Sequence, residues 1–262
     1  MPTVLALMAH PDDIEMTCAG TLVLLRRAGW DVHMATMTPG DLGSSRLGPE
    51  EIATVRRAEA AASAALLDAP YTCLEYRDLM ITCDADTKRR VSALLRTVGP
   101  DLLLTPHPRD YMEDHIQTGI VVREAAFVST MPNWTASLGG REVPPCARIP
   151  ATLYADPIGQ VDQLGHRVGA GYAVDVTDVI EAKEQMLAVH ESQRSWLREQ
   201  HGEDEYLRWM RRCGRERARD FGATRVRYAE GFTQHRAHGF PGEDPLTPVL
   251  GRRRVKTIQP TT

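Results

Sequence analysis

The apolar run Val4-Leu5-Ala6-Leu7-Met8-Ala9 ends abruptly in His10-Pro11-Asp12-Asp13-Ile14-Glu15. Such a run reads as a buried strand, and an imidazole with two carboxylates at its end is costly unless chemistry uses them. His10 and Asp13 are three residues apart, so a turn leaving the strand can aim both at one point while Asp12 does something else. That pattern suits a divalent metal ion with a carboxylate base beside it. A second polar loop, 38–45, carries Asp41, and a third, 107–115, supplies His107, Asp110, Tyr111, Asp114 and His115. Either His115 or His107 would complete a set of two imidazoles and one carboxylate, which leaves positions open for water as catalytic zinc sites do. A lone histidine more often bonds the backbone, but His-Pro-Asp-Asp at one strand end with a histidine-bearing loop at another favours the metal.

The elements that must position these loops follow from hydrophobic patterning. Residues 3–9, 31–38, 71–76 and 101–105 read as strands, with helices at 20–29, 49–67 and 86–98 between them. Alternation at this spacing predicts βαβ units with right-handed crossovers and a mostly parallel sheet. Ligands bind such sheets outside the carboxyl ends of the strands, where all three polar loops fall. Further along, 116–128 reads as a helix, and 131–150, with four prolines and a glycine pair, as a surface excursion suited to a rim or subunit contact. Residues 151–155 and 172–176 read as the last strands, and 177–200 and 206–221 as helices. The tail after Gly239 reads as an extended arm.

Composition narrows the function classes. The chain has 262 residues, 42% hydrophobic and 25% charged, which is ordinary for one α/β domain. A net charge of -4 argues against general nucleic-acid affinity. The cysteines, five and widely spaced, form no CxxC pair, so a reducing cytoplasm is expected rather than a disulfide framework. The first residues lack the basic region of a signal peptide, and no apolar run approaches the ~20 residues of a membrane span.

Ala9-His10-Pro11-Asp12-Asp13-Ile14-Glu15 closely resembles the AHPDD(x)E signature of the LmbE/PIG-L-like deacetylases. Residues 38–43 (TPGDLG) resemble that family's T-x-G-[DE]-x-G loop, and Arg56 and Glu59 its R-x-x-E helix. Met112-Glu113-Asp114-His115 aligns with its HPDH motif, and Lys183 with His190, Ser192 and Gln193 resembles its late K…HxSQ helix. The similarity runs from residue 4 to about 235. It implies a Rossmann-like three-layer α/β sandwich, with one LmbE-like domain over 1–239 and the arm at 240–262. It also implies metal-dependent removal of an acetyl group from N-acetylglucosamine-type sugars or conjugates. His10, Asp13 and His115 would hold the metal, zinc by default, although Fe2+, Co2+ or Mn2+ suit the same ligands. Asp12 would be the general base. Asp41 and Arg56 become candidates for the substrate cleft, and Asp114 for orienting a ligand ring from behind.

The sequence departs from the family at Met112, where a histidine usually stabilises the tetrahedral oxyanion. A thioether donates no hydrogen bond, so Tyr111, then His107, then His235 or His238 are candidates for the vacant role. Met112 itself would line the substrate site. Asp41 could instead hold its loop, and Arg56 with Glu59 could be a helix-surface ion pair. A facial-triad Fe(II) oxygenase shares the ligand set but not the alternating βα pattern. A family member that binds metal and sugar without turnover is the remaining alternative. A small amino-sugar conjugate is the expected partner, and a homo-oligomer the expected assembly.

Overall fold

The first strand serves two cores at once. In the computed structural model, which describes residues 1–201 and 205–258, β1 (Thr3–Met8) sends Val4, Ala6 and Met8 to one side of the sheet and Leu5 and Leu7 to the other. All five are essentially inaccessible to solvent. A continuous apolar run is what a parallel strand covered on both faces requires, because alternate side chains must each meet a helix layer.

The chain then continues through α1 (Asp13–Thr17), α2 (Ala19–Arg27), β2 (Asp31–Thr36), α3 (Pro49–Ala65), β3 (Tyr71–Cys73), α4 (Ala85–Val98), β4 (Leu102–Pro106) and α5 (Glu113–Val128). A small exposed hairpin, β5 (Ser137–Leu138) and β6 (Arg141–Glu142), precedes β7 (Ala151–Ala155) and β8 (Tyr172–Asp175). The remaining elements are α6 (Ile180–Ala188), α7 (Glu191–His201), α8 (Glu205–Ala218), β9 (Ala229–Gln234), α9 (Thr247–Leu250) and β10 (Val255–Thr257). The large sheet has eight strands in the order β10-β8-β9-β7-β4-β1-β2-β3. From β7 to β3 every pairing is parallel, whereas β9 and β10 pair antiparallel with their neighbours. One face packs on α1, α2 and α6, and the other on α4 and α5, giving three layers. The strand order reverses direction at β1, between β2 and β4, and such a switch point opens a crevice at the carboxyl ends.

Several sequence expectations change. The segment after Gly239 is not an extended arm: Leu246 is fully buried in the core beneath α2, and β10 adds an edge strand to β8. Its short apolar positions, Leu246 and Val255, are separated by polar turns and carry no visible period; residues 259–262 lie outside the described ones. Strand β9 was hidden because Glu230 and Gly231 interrupt its apolar run. Glu230 is nevertheless buried, accepting from the backbone N–H groups of Gly20 and Thr21, the Thr21 hydroxyl and Lys183. The expected helix over 177–200 breaks between α6 and α7, with His190 at the break. The proline-rich excursion is pinned at its base by the buried Arg96, whose guanidinium donates to the carbonyls of Ser129, Met131 and Val143. Among the described residues, no helix is long and apolar enough to cross a membrane.

Candidate metal centre and its cleft

The turn after β1 is built around Asp12, which sits at φ 91 in the left-handed region immediately before α1. Few residues other than glycine adopt that conformation, although Asp and Asn tolerate it best. The turn brings Asp13 back so that its Oδ2 accepts the His10 backbone N–H at 2.8 Å. The Asp13 Oδ1 then lies 3.3 Å from His115 Nε2, and its Oδ2 lies 3.5 Å from His10 Nδ1. Each of the three residues offers one donor atom, and these atoms lie within 4.8 Å of one another. His115 reaches the site from the first turn of α5, not from a loop as its polar surroundings suggested, because α5 begins at Glu113. Tight packing holds that helix in place: a Cβ on Gly119 would lie 2.4 Å from the Pro106 carbonyl oxygen at the end of β4.

Behind each imidazole stands its own carboxylate. His10 Nε2 meets Asp114 Oδ2 at 3.0 Å, and His115 Nδ1 meets Asp110 Oδ1 at 3.1 Å. A carboxylate on the far nitrogen fixes the tautomer and turns the other nitrogen's lone pair towards a metal. Asp114 orients a ligand ring as expected, and the ring is that of His10 rather than of its neighbour His115. Asp110 was not singled out, although its place five residues before His115 in the same acidic loop was the available signal. Asp78, 3.9 Å from His10 Nε2, was missed too. It accepts from the Thr38 hydroxyl and the Leu42 N–H, so it ties the second loop to the site.

The charges are tuned by this crowding. Burial opposes a charge on His10, but hydrogen bonds to Asp114 and Asp13 outweigh it and push its pKa up to about 9. Burial likewise opposes charge on His115, and the Asp13 carboxylate with the Asp110 bond pushes it well above the ordinary value. Burial would raise Asp13, yet the two imidazoles hold it far below the usual carboxylate range. The same groups that favour two imidazolium rings would favour a dication in their place, so the donor set fits a divalent metal. Asp12 goes the other way: burial raises its pKa despite the neighbouring Arg56.

Arg56, on α3 and buried, donates from Nη2 to Asp12 Oδ2 at 3.2 Å and to the Pro11 carbonyl at 2.7 Å. It is not paired with Glu59, which instead accepts the Ser192 N–H and hydroxyl at the start of α7. Gly40 and Gly43 close over the guanidinium, where a Cβ would lie 2.3 Å and 2.4 Å from Nη1 respectively. A cleft of ≈ 320 Å³ opens above these groups, walled by Leu42, Leu79, Tyr111, Met112, Tyr206 and Trp209, with His10, Asp12, Asp13, Arg56 and His115 at its polar end. Tyr206 was not foreseen, since its helix reads only as charged and arginine-rich.

Four candidate site residues lie elsewhere. His107 does not line the cleft: its Nδ1 accepts the Arg109 N–H at 3.0 Å, and its ring packs edge-on against Tyr154. Burial lowers its pKa to about 4, so it stays neutral and inert. Asp41 also faces away from the cleft, holding Arg77 Nε and the Asp78 N–H. His235 packs edge-on against Phe240 and bonds Tyr154, and neither it nor His238 reaches the cleft. Tyr111 remains, edge-on to His115 with ring centroids 5.5 Å apart.

The family model described as PIG-L, GlcNAc-PI de-N-acetylase, matches residues 5–126. The diacetylchitobiose deacetylase of Thermococcus kodakarensis is 27% identical over 198 residues, 72% of this chain and 69% of that protein. The N,N'-diacetylchitobiose deacetylase structure from Pyrococcus horikoshii superposes with a TM-score of 0.73 at 27% identity, covering 89% of this chain and 83% of that one. A 4-oxalmesaconate hydratase from Pseudomonas putida is 26% identical over 133 residues, 48% of this chain and 52% of the hydratase.

Proposed function

Because the chain belongs to the PIG-L/LmbE family, we propose that it hydrolyses an N-acyl amide, removing acetyl from an amino sugar or its conjugate. The observation that carries this reading is the convergence of His10, Asp13 and His115, with Asp114 and Asp110 behind the rings and Asp12 alongside. Two nitrogens and one carboxylate oxygen would hold zinc, with Fe2+, Co2+ or Mn2+ accepted by the same donors. When bound, the ion polarises the acyl carbonyl and lowers the pKa of water towards about 7.

The chain's own residues supply the rest. Asp12 takes the proton of the attacking water and returns it to the leaving amine, a contribution of typically ~10²–10⁴-fold. Arg56 fixes one oxygen of that carboxylate, and Asp12 lines the cleft beside the metal donors. Met112 contributes only apolar wall, so the oxyanion role falls to Tyr111, a phenol that burial keeps protonated and whose ring stands edge-on to His115.

The hydratase relative supports a second reading, water addition to an unsaturated polycarboxylate. Such a substrate calls for cations, and Arg56 is the one arginine or lysine among the described cleft residues, already committed to Asp12 and two carbonyls. That favours the amide. Acetate release from N-acetylated amino sugars by metal-loaded protein tests the choice: release should stop on chelation and return with zinc. If no N-acyl amino sugar yields acetate with zinc, iron, cobalt or manganese, amide hydrolysis is wrong. Binding without release would then mark a non-catalytic family member, and hydration of a mesaconate-type acid would mark the second reading.

A further inference from the structure

The wall of the cleft is more apolar than a bare sugar requires. Leu42, Leu79, Tyr111, Met112, Ile158 and Trp209 line it from five separate stretches of chain. Three of them leave much of their surface in water, with Leu42 49%, Leu79 58% and Tyr111 46% exposed. Scattered exposed leucines need no explanation, but apolar side chains gathered around one polar floor do. Leu79 also holds a left-handed backbone at φ 64, which costs a leucine energy. That conformation is fixed by its N–H, which donates to Asp114 Oδ2 at 2.7 Å, the oxygen that also orients His10. The isobutyl group is therefore held in register with the metal donors.

The charges at the same place point in one direction. Arg56 is buried and bonded, Gly40 and Gly43 seal it, and Asp12 faces the open space. A phosphate or carboxylate on the substrate would meet no free cation among the described cleft residues and would face Asp12. We infer that the substrate is an uncharged N-acyl amine carrying an apolar or aryl substituent, and that anionic amino-sugar derivatives are refused. This rests on the amide-hydrolase reading, in which the small acetyl group leaves the apolar wall to the substituent on the sugar.

The test uses zinc-loaded full-length protein and calorimetric binding of the product-side amines 4-nitrophenyl β-glucosaminide, glucosamine and glucosamine 1-phosphate. Acetate release from their N-acetylated forms is followed in parallel. The aryl glycoside should bind at least tenfold tighter than either of the others. Leu79→Lys should narrow the aryl-to-phosphate ratio at least fivefold, since it removes apolar wall and adds the missing cation at an exposed position. A phosphate that binds as tightly as the aryl glycoside, an aryl group that adds nothing over glucosamine, or a ratio unmoved by L79K would overturn the inference. Absence of acetate from all three substrates would count against amide hydrolysis instead, while the binding order still decides the preference.

Discussion

Asp110→Asn isolates the part of the site that sequence patterning did not reveal. The buried Asp110 Oδ1 accepts from His115 Nδ1 at 3.1 Å and from the Met112 N–H at 3.3 Å. With the proton held on Nδ1, His115 presents its Nε2 lone pair towards Asp13. Asparagine keeps the shape and can still accept, but the bond to the ring loses its charge. A charge-assisted bond is worth about twice a neutral one of ~1 kcal/mol, so at least ~1 kcal/mol of ring orientation is lost. If the amide turns its NH2 to the ring, the proton moves to Nε2 and the lone pair is lost as well. Changes behind a metal ligand typically cost ~10–100-fold in affinity, equivalent to about 1.4–2.8 kcal/mol. Zinc affinity measured by competition with a chromogenic chelator should therefore fall by about that factor, with the circular dichroism of the metal-free protein unchanged. Asp114→Asn should do the same through His10. If D110N binds zinc within twofold of the wild type, the assignment of His115 as a ligand oriented by Asp110 is wrong.

Gly43→Ala should displace Arg56 from Asp12, because its Cβ would lie 2.4 Å from Nη1; kcat should fall about tenfold, of the order of one charge-assisted bond, with metal content unchanged by elemental analysis. Leu246→Ala should destabilise the fold by ~2–5 kcal/mol in denaturant titration, because that side chain is fully buried; a true arm would tolerate it. His107 is near 4 when folded against 6.5 when unfolded, so the unfolded state binds the extra proton. Its contribution is full above pH 6.5 and disappears as pH falls towards 4, a loss of up to ~3 kcal/mol. His107→Asn should flatten that part of the stability profile without the loss at neutral pH that a broken loop would give, since asparagine can also accept the Arg109 N–H.

The parallel half of the fold was legible because β1 and β4 are continuous apolar runs and strand-like segments alternate with helical ones, and His10-Pro11-Asp12-Asp13 could be placed at a strand end from that alone. Of the strands with only antiparallel partners, β8 was legible at 172–176, but β9 and the edge strand β10 were not. Strand β9 carries a buried Glu230 whose partners come from α2 and α6, and β10 is only three residues long. Pattern reads local periodicity, and these elements exist through contacts distant in sequence. The same limit applied at the site. Donor types and spacing paired His10 with Asp13 and left His115 or His107 as the third ligand, a choice that only the family resemblance made, because whether a given acid or histidine faces the cleft depends on rotation about a turn. Asp41 and His107 turn away to hold their own loops, whereas Asp110 turns onto the back of His115 and Tyr206 turns into the cleft.

The central claim is that Asp12 activates water for amide hydrolysis beside a metal held by His10, Asp13 and His115. Asp12→Asn tests it most directly, since asparagine tolerates the left-handed backbone at this position and keeps the shape of the turn. The variant should bind zinc as the wild type does and release acetate from 4-nitrophenyl N-acetyl-β-glucosaminide ~10²–10⁴-fold more slowly. Acetate release at the wild-type rate from zinc-loaded D12N would contradict it.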